Sequence, residues 1–379
     1  MQYRKFGKCD FKVSTLGFGC MRLPVIGNDN NVINESESIE LIRYAIDEGV
    51  NYIDTAYPYH GGSSEYLVGK ALKDGYRERV KLATKMPVWL IEQYSDFDKY
   101  LNEQLHKLQT DHIDMYLLHA LSKDRIEKLE KIGVYKFLDE ALKDGRIKYA
   151  GFSFHDDLST FKRIVDSYNW TFCQIQYNYL DENYQAGTEG LKYASQKGLA
   201  VVIMEPLKGG KLAVNVPHNV ADVFKDYGSD KTPADWALRW VWNHPEVTLL
   251  LSGMNSMEQI KQNILSAEEA LPHSMTDEEV SVITKASDEF KKLIKVDCTG
   301  CEYCLPCPMG VNIPENFKLY NAVYMYNDMQ ASAKSYKALN EKEKAASCAQ
   351  CGKCEKACPQ HLSIRKYLKE VNALLNSNS

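Results

Sequence analysis

The sequence predicts an α/β protein, a (β/α)8 barrel followed by a small, mainly helical cysteine-rich domain. Three observations carry this expectation. Eight short apolar runs of β character, nearly all followed by an amphipathic stretch, fill the chain up to about residue 290. No Gly-x-Gly-x-x-Gly opens a strand-to-helix turn, and "GFGCMR" (Gly17 to Arg22) does not fit it, which disfavours the rival open doubly wound sheet. Eight of the 11 cysteines crowd into two clusters beyond that point.

The elements follow in order. "YRKFGKCDFKVS" reads as a hairpin ahead of the barrel, with its turn at Gly7 to Asp10. The strand candidates are "STLGFG", "VNYID", "VKLATK", "IDMYLLH", "IKYAGFS", "CQIQY", "LAVVIM" and "VTLLLSG". Helical patterns such as "ESIELIRYAIDEG", "SSEYLVGKALKDG" and "VYKFLDEALKDG" lie between them and end in Gly after a charged residue, as helix C-termini often do. The tail then holds a cysteine cluster, a helical stretch from Pro314 to Lys344, a second cluster and a short terminal helix. A division into residues 1–290 and 291–379 is expected.

With 44% hydrophobic and 26% charged residues, 379 residues supply ample core for one large domain or two smaller ones. The net charge of −5 gives no support for nucleic-acid binding. It is uneven: residues 291–379 carry 13 Lys and Arg against 8 Asp and Glu, a net of +5, leaving −10 for the rest. No apolar run approaches the roughly 20 residues that span a bilayer. "MQYRKFGKCDFK" lacks a signal-peptide core, so a cytoplasmic protein without membrane contact is expected.

Catalytic groups of a barrel sit where its strands end. The second strand candidate ends at Asp54, the third at Lys85 and the fourth at His119, with Tyr59 five residues beyond Asp54. Singly, each has a plain structural role: a turn cap, a rim lysine, a satisfied core histidine, a packing ring. Together they suit carbonyl reduction, in which developing alkoxide needs a proton. A phenol of pKa about 10 is a weak acid at neutral pH, and a neighbouring ammonium stabilises its conjugate base. Lys85 supplies that charge, Asp54 holds Lys85 charged, and His119 orients the substrate oxygen. Tyr57 is the rival phenol, expected to face elsewhere.

In the tail, Cys348, Cys351, Cys354 and Cys358, followed by Pro359, fit the C-x2-C-x2-C-x3-C-P run of two-cluster ferredoxins. Cys298, Cys301, Cys304 and Cys307 depart from it by one residue at the last gap. Two [4Fe–4S] clusters are expected, one on Cys298, Cys301, Cys304 and Cys358, the other on Cys348, Cys351, Cys354 and Cys307. The alternatives are that each run holds its own cluster, or that paired knuckles bind zinc. Lys353 and Lys356 would offset cluster charge. Cys9, Cys20 and Cys173 read as small core residues.

"IDTAYPY" with "GGSSE", "ATK" and "LLH" closely resembles the aldo-keto reductases, from about Tyr3 to Phe290. The resemblance implies a nicotinamide-dependent reductase of small carbonyl compounds with Asp54, Tyr59, Lys85 and His119 as its catalytic set. It also implies cofactor contacts. Gly19, Cys20, Met21, Arg22 and Asp54 lie at the first strand ends. Ser153 and Gln174 fall at the carboxamide, with Phe154 in place of the family's Asn. Met204 stands where many members stack a Tyr on the nicotinamide. Leu207, Gly209 and Lys211 belong to the pyrophosphate loop. Gly253, Met254, Asn255, Gln259 and Asn263 belong to the adenosine segment. NADP is the family default over NAD, although Lys261 is the one basic residue near the expected 2′-phosphate. The tail resembles the dicluster modules of a prokaryotic subgroup of that family. Its clusters would serve structure, sensing or contact with an electron-transfer protein. Rival readings are an electron-transfer oxidoreductase whose clusters feed the barrel site, and a cluster-bearing binding protein with an inactive barrel.

Overall fold

The computed structural model describes residues 1–27 and 29–377. Strands β1 (Tyr3–Lys5) and β2 (Lys12–Ser14) form an antiparallel hairpin. Eight strands then close a parallel barrel: β3 (Leu16–Gly19), β4 (Tyr52–Asp54), β5 (Lys81–Met86), β6 (Ile113–Leu121), β7 (Ile147–Phe154), β8 (Phe172–Gln176), β9 (Ala200–Met204) and β10 (Val247–Ser252), with β10 pairing β3. The expected hairpin and all eight expected strands are present. Helices between the strands cover the barrel, and the helix Val134–Lys143 packs on β7 through one stripe. Its buried residues are Val134, Phe137, Leu138 and Ala141, the spacing of one helical face.

Alternation along the strands sends every second side chain inward. The inward side chains below the barrel mouth, in two layers, are Tyr52, Ala83, Met115, Leu117, Phe172, Ala200, Val202, Leu249 and Leu251. Gly17 leaves room for them: a Cβ there would stand 2.8 Å from both Leu249 and Leu251. Phe6, at the hairpin, plugs the N-terminal end, fully buried against the rings of Phe11, Tyr52 and Phe172 at 5.3, 6.3 and 5.5 Å.

By contact the chain divides into two compact units, Met1–Gly209 with Ala234–Val280, and Gly210–Pro233 with Ser281–Ser379. The division therefore differs from the single cut expected at residue 290. The excursion after β9 belongs with the C-terminal part because its polar groups are bonded there. Lys211 pairs with Asp328 at 3.3 Å, Asn219 donates to the Glu289 carboxylate at 3.0 Å, and Asn327 donates to the Asn215 carbonyl at 3.3 Å. The second unit has its own core, in which Val296, Val311, Ile313, Phe317, Leu368 and Val371 are buried and six cysteines, among them Cys298, Cys304, Cys307 and Cys348, pack against or within it. No helix among the described residues is long and apolar enough to cross a membrane.

Phe6→Ala empties a ring-sized space that the barrel floor cannot refill, so the barrel should lose about 3–5 kcal/mol. All five tryptophans lie in the first unit, so a shifted urea midpoint in tryptophan fluorescence reads this loss directly.

Candidate active site

The candidate site is the next inward layer of the same barrel. Two residues beyond the floor positions Gly17, Tyr52, Ala83, Leu117, Gly151, Phe172, Val202 and Leu251 stand Gly19, Asp54, Lys85, His119, Ser153, Gln174, Met204 and Gly253. All eight line one cavity of about 240 Å3, together with Met21, Arg22, Tyr59, His155, Glu205 and Leu251. Register pairs Gly19 with Asp54 and Ser153 with Gln174, while the stagger of the barrel sets Asp54 beside Ala83 and Lys85 beside Leu117.

Lys85 is fully buried, and its ammonium has three protons to place. They go to Asp54 Oδ1 at 2.6 Å, the Thr55 carbonyl at 2.8 Å and Tyr59 Oη at 3.3 Å. Since the phenol oxygen accepts from Lys85, its own proton is left to point into the cavity. His119 faces Tyr59 edge-on, ring centres 6.2 Å apart, and the Trp89 ring lies 5.3 Å from it. Ala120 turns the chain in the left-handed region at φ 54°, and its N–H donates to Ser153 Oγ at 2.6 Å. Behind the site, Gln104 donates to both Glu65 at 2.6 Å and the Lys85 carbonyl at 3.0 Å, while Thr84 donates to Glu65 at 2.7 Å. This clamp fixes the end of β5.

Electrostatics separate the phenols. Burial acts to lower Lys85, but the charge of Asp54 and the hydrogen bonds outweigh it, so its pKa lies above the ordinary value and the ammonium stays charged. Burial pushes Asp54 up, with Lys85 pulling against it. Burial also raises Tyr59, although Lys85 draws it down. The expected lowering by the ammonium is thus real but smaller than desolvation, and the phenol is fully protonated at neutral pH. Tyr57 is pushed up to about 12 by burial and by its 3.1 Å bond to Glu103, under Lys107 at 3.9 Å from its ring centre. Its proton is committed away from the cavity. His119 is lowered to about 2 by burial first, then by Lys85, His155 and Arg125, so it is a neutral donor and acceptor.

Three buried polar atoms at the cavity have no protein partner: Asp54 Oδ2, His119 Nδ1 and Gln174 Oε1. A polar molecule seated there would satisfy them. Gln174 suits a carboxamide NH2. Around Arg22 the chain is stripped to glycine: a Cβ on Gly209 or Gly253 would come within 3.0 or 3.2 Å of its side chain. Arg22 is held loosely by Glu205 at 3.5 Å, a cation free to meet phosphate. The residues present therefore fit a nicotinamide dinucleotide. Cys20 and Met254 are buried beneath the wall, and Leu207 is partly buried. Asn255 and Gln259 are exposed and bonded to each other at 2.9 Å, and Asn263 donates to Ser252 at 3.1 Å. Lys261 lies 5.8 Å from the Tyr44 ring centre. Lys211 is not among the cavity residues; it pairs with Asp328 and lies over the Tyr326 ring at 4.9 Å. His155 and Glu205, which the sequence reading did not choose, also line the wall, two residues beyond Ser153 and one beyond Met204.

In the second unit the cysteines stand around two spaces. Cys307, Cys348, Cys351 and Cys354, with Cys304, wall a cavity of about 290 Å3. Cys298, Cys301, Cys304 and Cys358 wall a smaller one of about 20 Å3. The fourth cysteine of each run thus stands with the other run's first three. No three Cys, His, Asp or Glu side chains among the described residues converge on a point that would hold a single ion. Burial raises the thiol of Cys304 to about 11 and acts the same way on Cys298 and Cys354.

A model of the Aldo/keto reductase family matches residues 15–288, nearly the whole barrel. The chain belongs to that family. A 4Fe-4S dicluster domain matches residues 297–363 of this aldo/keto reductase family member. It is 31% identical over 294 residues to "Probable aldo-keto reductase 1" of Glycine max, covering 69% of this chain and 82% of the relative. It is 24% identical to L-galactose dehydrogenase of Arabidopsis thaliana, covering 77% and 96%. Its barrel superposes on the holo form of aldo-keto reductase AKR11C1 from Bacillus halodurans with a TM-score of 0.62 and 29% identity, over 76% of this chain and 96% of that one.

Because His119 is neutral when folded and titrates near about 6.5 when unfolded, the unfolded state alone takes up a proton below that pH. Stability should therefore fall as pH drops from about 6.5 towards 2. His119→Gln should flatten that part of the slope relative to the native chain, read as urea midpoints across a pH series.

Proposed function

We propose that the barrel reduces an aldehyde or ketone to an alcohol with NAD(P)H, and that Tyr59 is its general acid. The observation that carries the reading is the 3.3 Å bond by which Lys85, itself anchored on Asp54, donates to the phenol oxygen and leaves the phenol proton facing the cavity. Nicotinamide, when bound, supplies hydride to the carbonyl carbon. The rest falls to the chain. One ring N–H of the neutral His119 and the Tyr59 hydroxyl receive the substrate oxygen and polarise it. As charge gathers on that oxygen, Tyr59 gives up its proton and becomes a phenolate, whose charge the Lys85 ammonium balances. Water then returns a proton to Tyr59. Gln174 and Ser153 would orient the carboxamide, and Arg22 the pyrophosphate.

The eight tail cysteines are read as ligands of two [4Fe–4S] clusters with exchanged fourth ligands, Cys358 completing the first run and Cys307 the second. The composition of the two walled spaces supports this pairing. Residues 1–290 would carry the reductase chemistry and 291–379 the clusters.

Tyr59→Phe should lower kcat for carbonyl-dependent oxidation of NADPH by about 10²–10⁴-fold while leaving the circular dichroism and iron content unchanged; an active Tyr59→Phe enzyme would remove the phenol from the chemistry. Chain purified without oxygen should hold about eight irons and as many sulfides. Cys307→Ala and Cys358→Ala should each disturb one centre, and electron paramagnetic resonance should show the loss at the cluster bound by the opposite run.

A further inference from the structure

The face around the larger cysteine-walled space combines exposed apolar side chains with unpaired positive charge. Tyr303 and Met309 line that space and are 70% and 46% exposed, large apolar groups left in water beside Pro306 and Pro308. Lys353 and Arg365 stand on the same wall. A Cβ on Gly310 would lie 3.2 Å from Lys342, which puts that lysine beside Met309. From Lys342 to Lys369 the chain carries seven Lys and Arg against Glu343 and Glu355, a local net of +5. Glu355 is already spent on Arg365, at 2.8 Å. Lys353, Lys356 and Lys369 are exposed and form no ion pair among the described residues.

We infer that this face docks a small acidic electron-carrier protein, with Tyr303 and Met309 as the apolar centre and Lys342, Lys353, Lys356 and Arg365 as the rim that steers it. An apolar centre within a charged rim is how transient redox interfaces reconcile fast encounter with modest affinity. A basic rim also selects its partner: an acidic surface gains from the unpaired lysines, whereas a basic one is repelled. The cluster held by Cys307, Cys348, Cys351 and Cys354 would be the gateway. In each encounter one electron leaves the carrier's centre, which is oxidised, and enters that cluster, which is reduced, with no bond made or broken. The inference rests on the cluster reading above, and the two can fail separately.

The test uses the full chain with its clusters, verified by iron and sulfide analysis, and a strongly acidic two-cluster ferredoxin as the probe in a surface-binding measurement. Binding is expected at low salt and should fall steeply as salt screens the rim. Lys353→Glu with Lys356→Glu should weaken it by about tenfold or more, and Tyr303→Ser should weaken it without changing the salt slope. Lys334→Glu, a charge reversal on the helix Met329–Ala338, which contributes no residue to the wall of that space, should leave it unchanged. Absence of iron would overturn the cluster reading. With iron present, no binding at low salt, or equal loss in the Lys334→Glu and Lys353→Glu/Lys356→Glu chains, would overturn the docking surface alone.

Discussion

A lysine ammonium with no exposed surface sets the terms for the barrel mouth. Taking such a charge out of water costs several kcal/mol unless every proton finds an acceptor. Lys85 has three, and the fold supplies three: a carboxylate from the end of β4, a carbonyl one residue further on, and a phenol from the turn that follows. Each comes from the segment Asp54 to Tyr59, so burying Lys85 also folds that segment around it. The phenol oxygen accepts from Lys85, and its proton is directed outward by default. Electrostatics and geometry are therefore one constraint here: Asp54 keeps the amine charged, and the charged amine fixes the phenol.

Much of this was legible in the sequence, because strands impose a period of two. Once the runs "VNYID", "VKLATK" and "IDMYLLH" are taken as parallel barrel strands, Asp54, Lys85 and His119 must fall at one end, whereas Ser153, Gln174, Met204 and Gly253 came from the resemblance to the aldo-keto reductases. The structure places all seven around one cavity. Tyr57 against Tyr59 was also separable, as two residues nearer the strand end the chain still faces the helix carrying Glu103 and Lys107.

Loops and long-range clamps were not legible. Lys211 lies seven residues past the end of β9, where no period governs direction, and an acidic partner at Asp328 captures it. That pairing belongs to the excursion Gly210–Pro233, whose packing with the C-terminal unit depends on hydrogen bonds 70 and 112 positions apart in sequence, a distance that pattern reading does not span. The Glu65–Gln104–Thr84 clamp is similar. Glu65 reads as a first-turn helix acid, yet it is fully buried and holds the strand that carries Lys85. The sign of the Tyr59 shift also needed coordinates, since burial and the ammonium oppose each other and only their balance decides it.

The pH dependence of kcat for carbonyl-dependent NADPH oxidation, compared between the native chain and Asp54→Asn, tests the coupling of Asp54, Lys85 and Tyr59 most directly. Without the carboxylate, burial pulls Lys85 down, and Tyr59 loses the negative neighbour that helps to hold it up. Both effects move the alkaline limb towards lower pH, and that shift is expected together with a lower plateau. An alkaline limb and plateau unchanged by Asp54→Asn, in a chain that keeps its fold, would contradict that coupling.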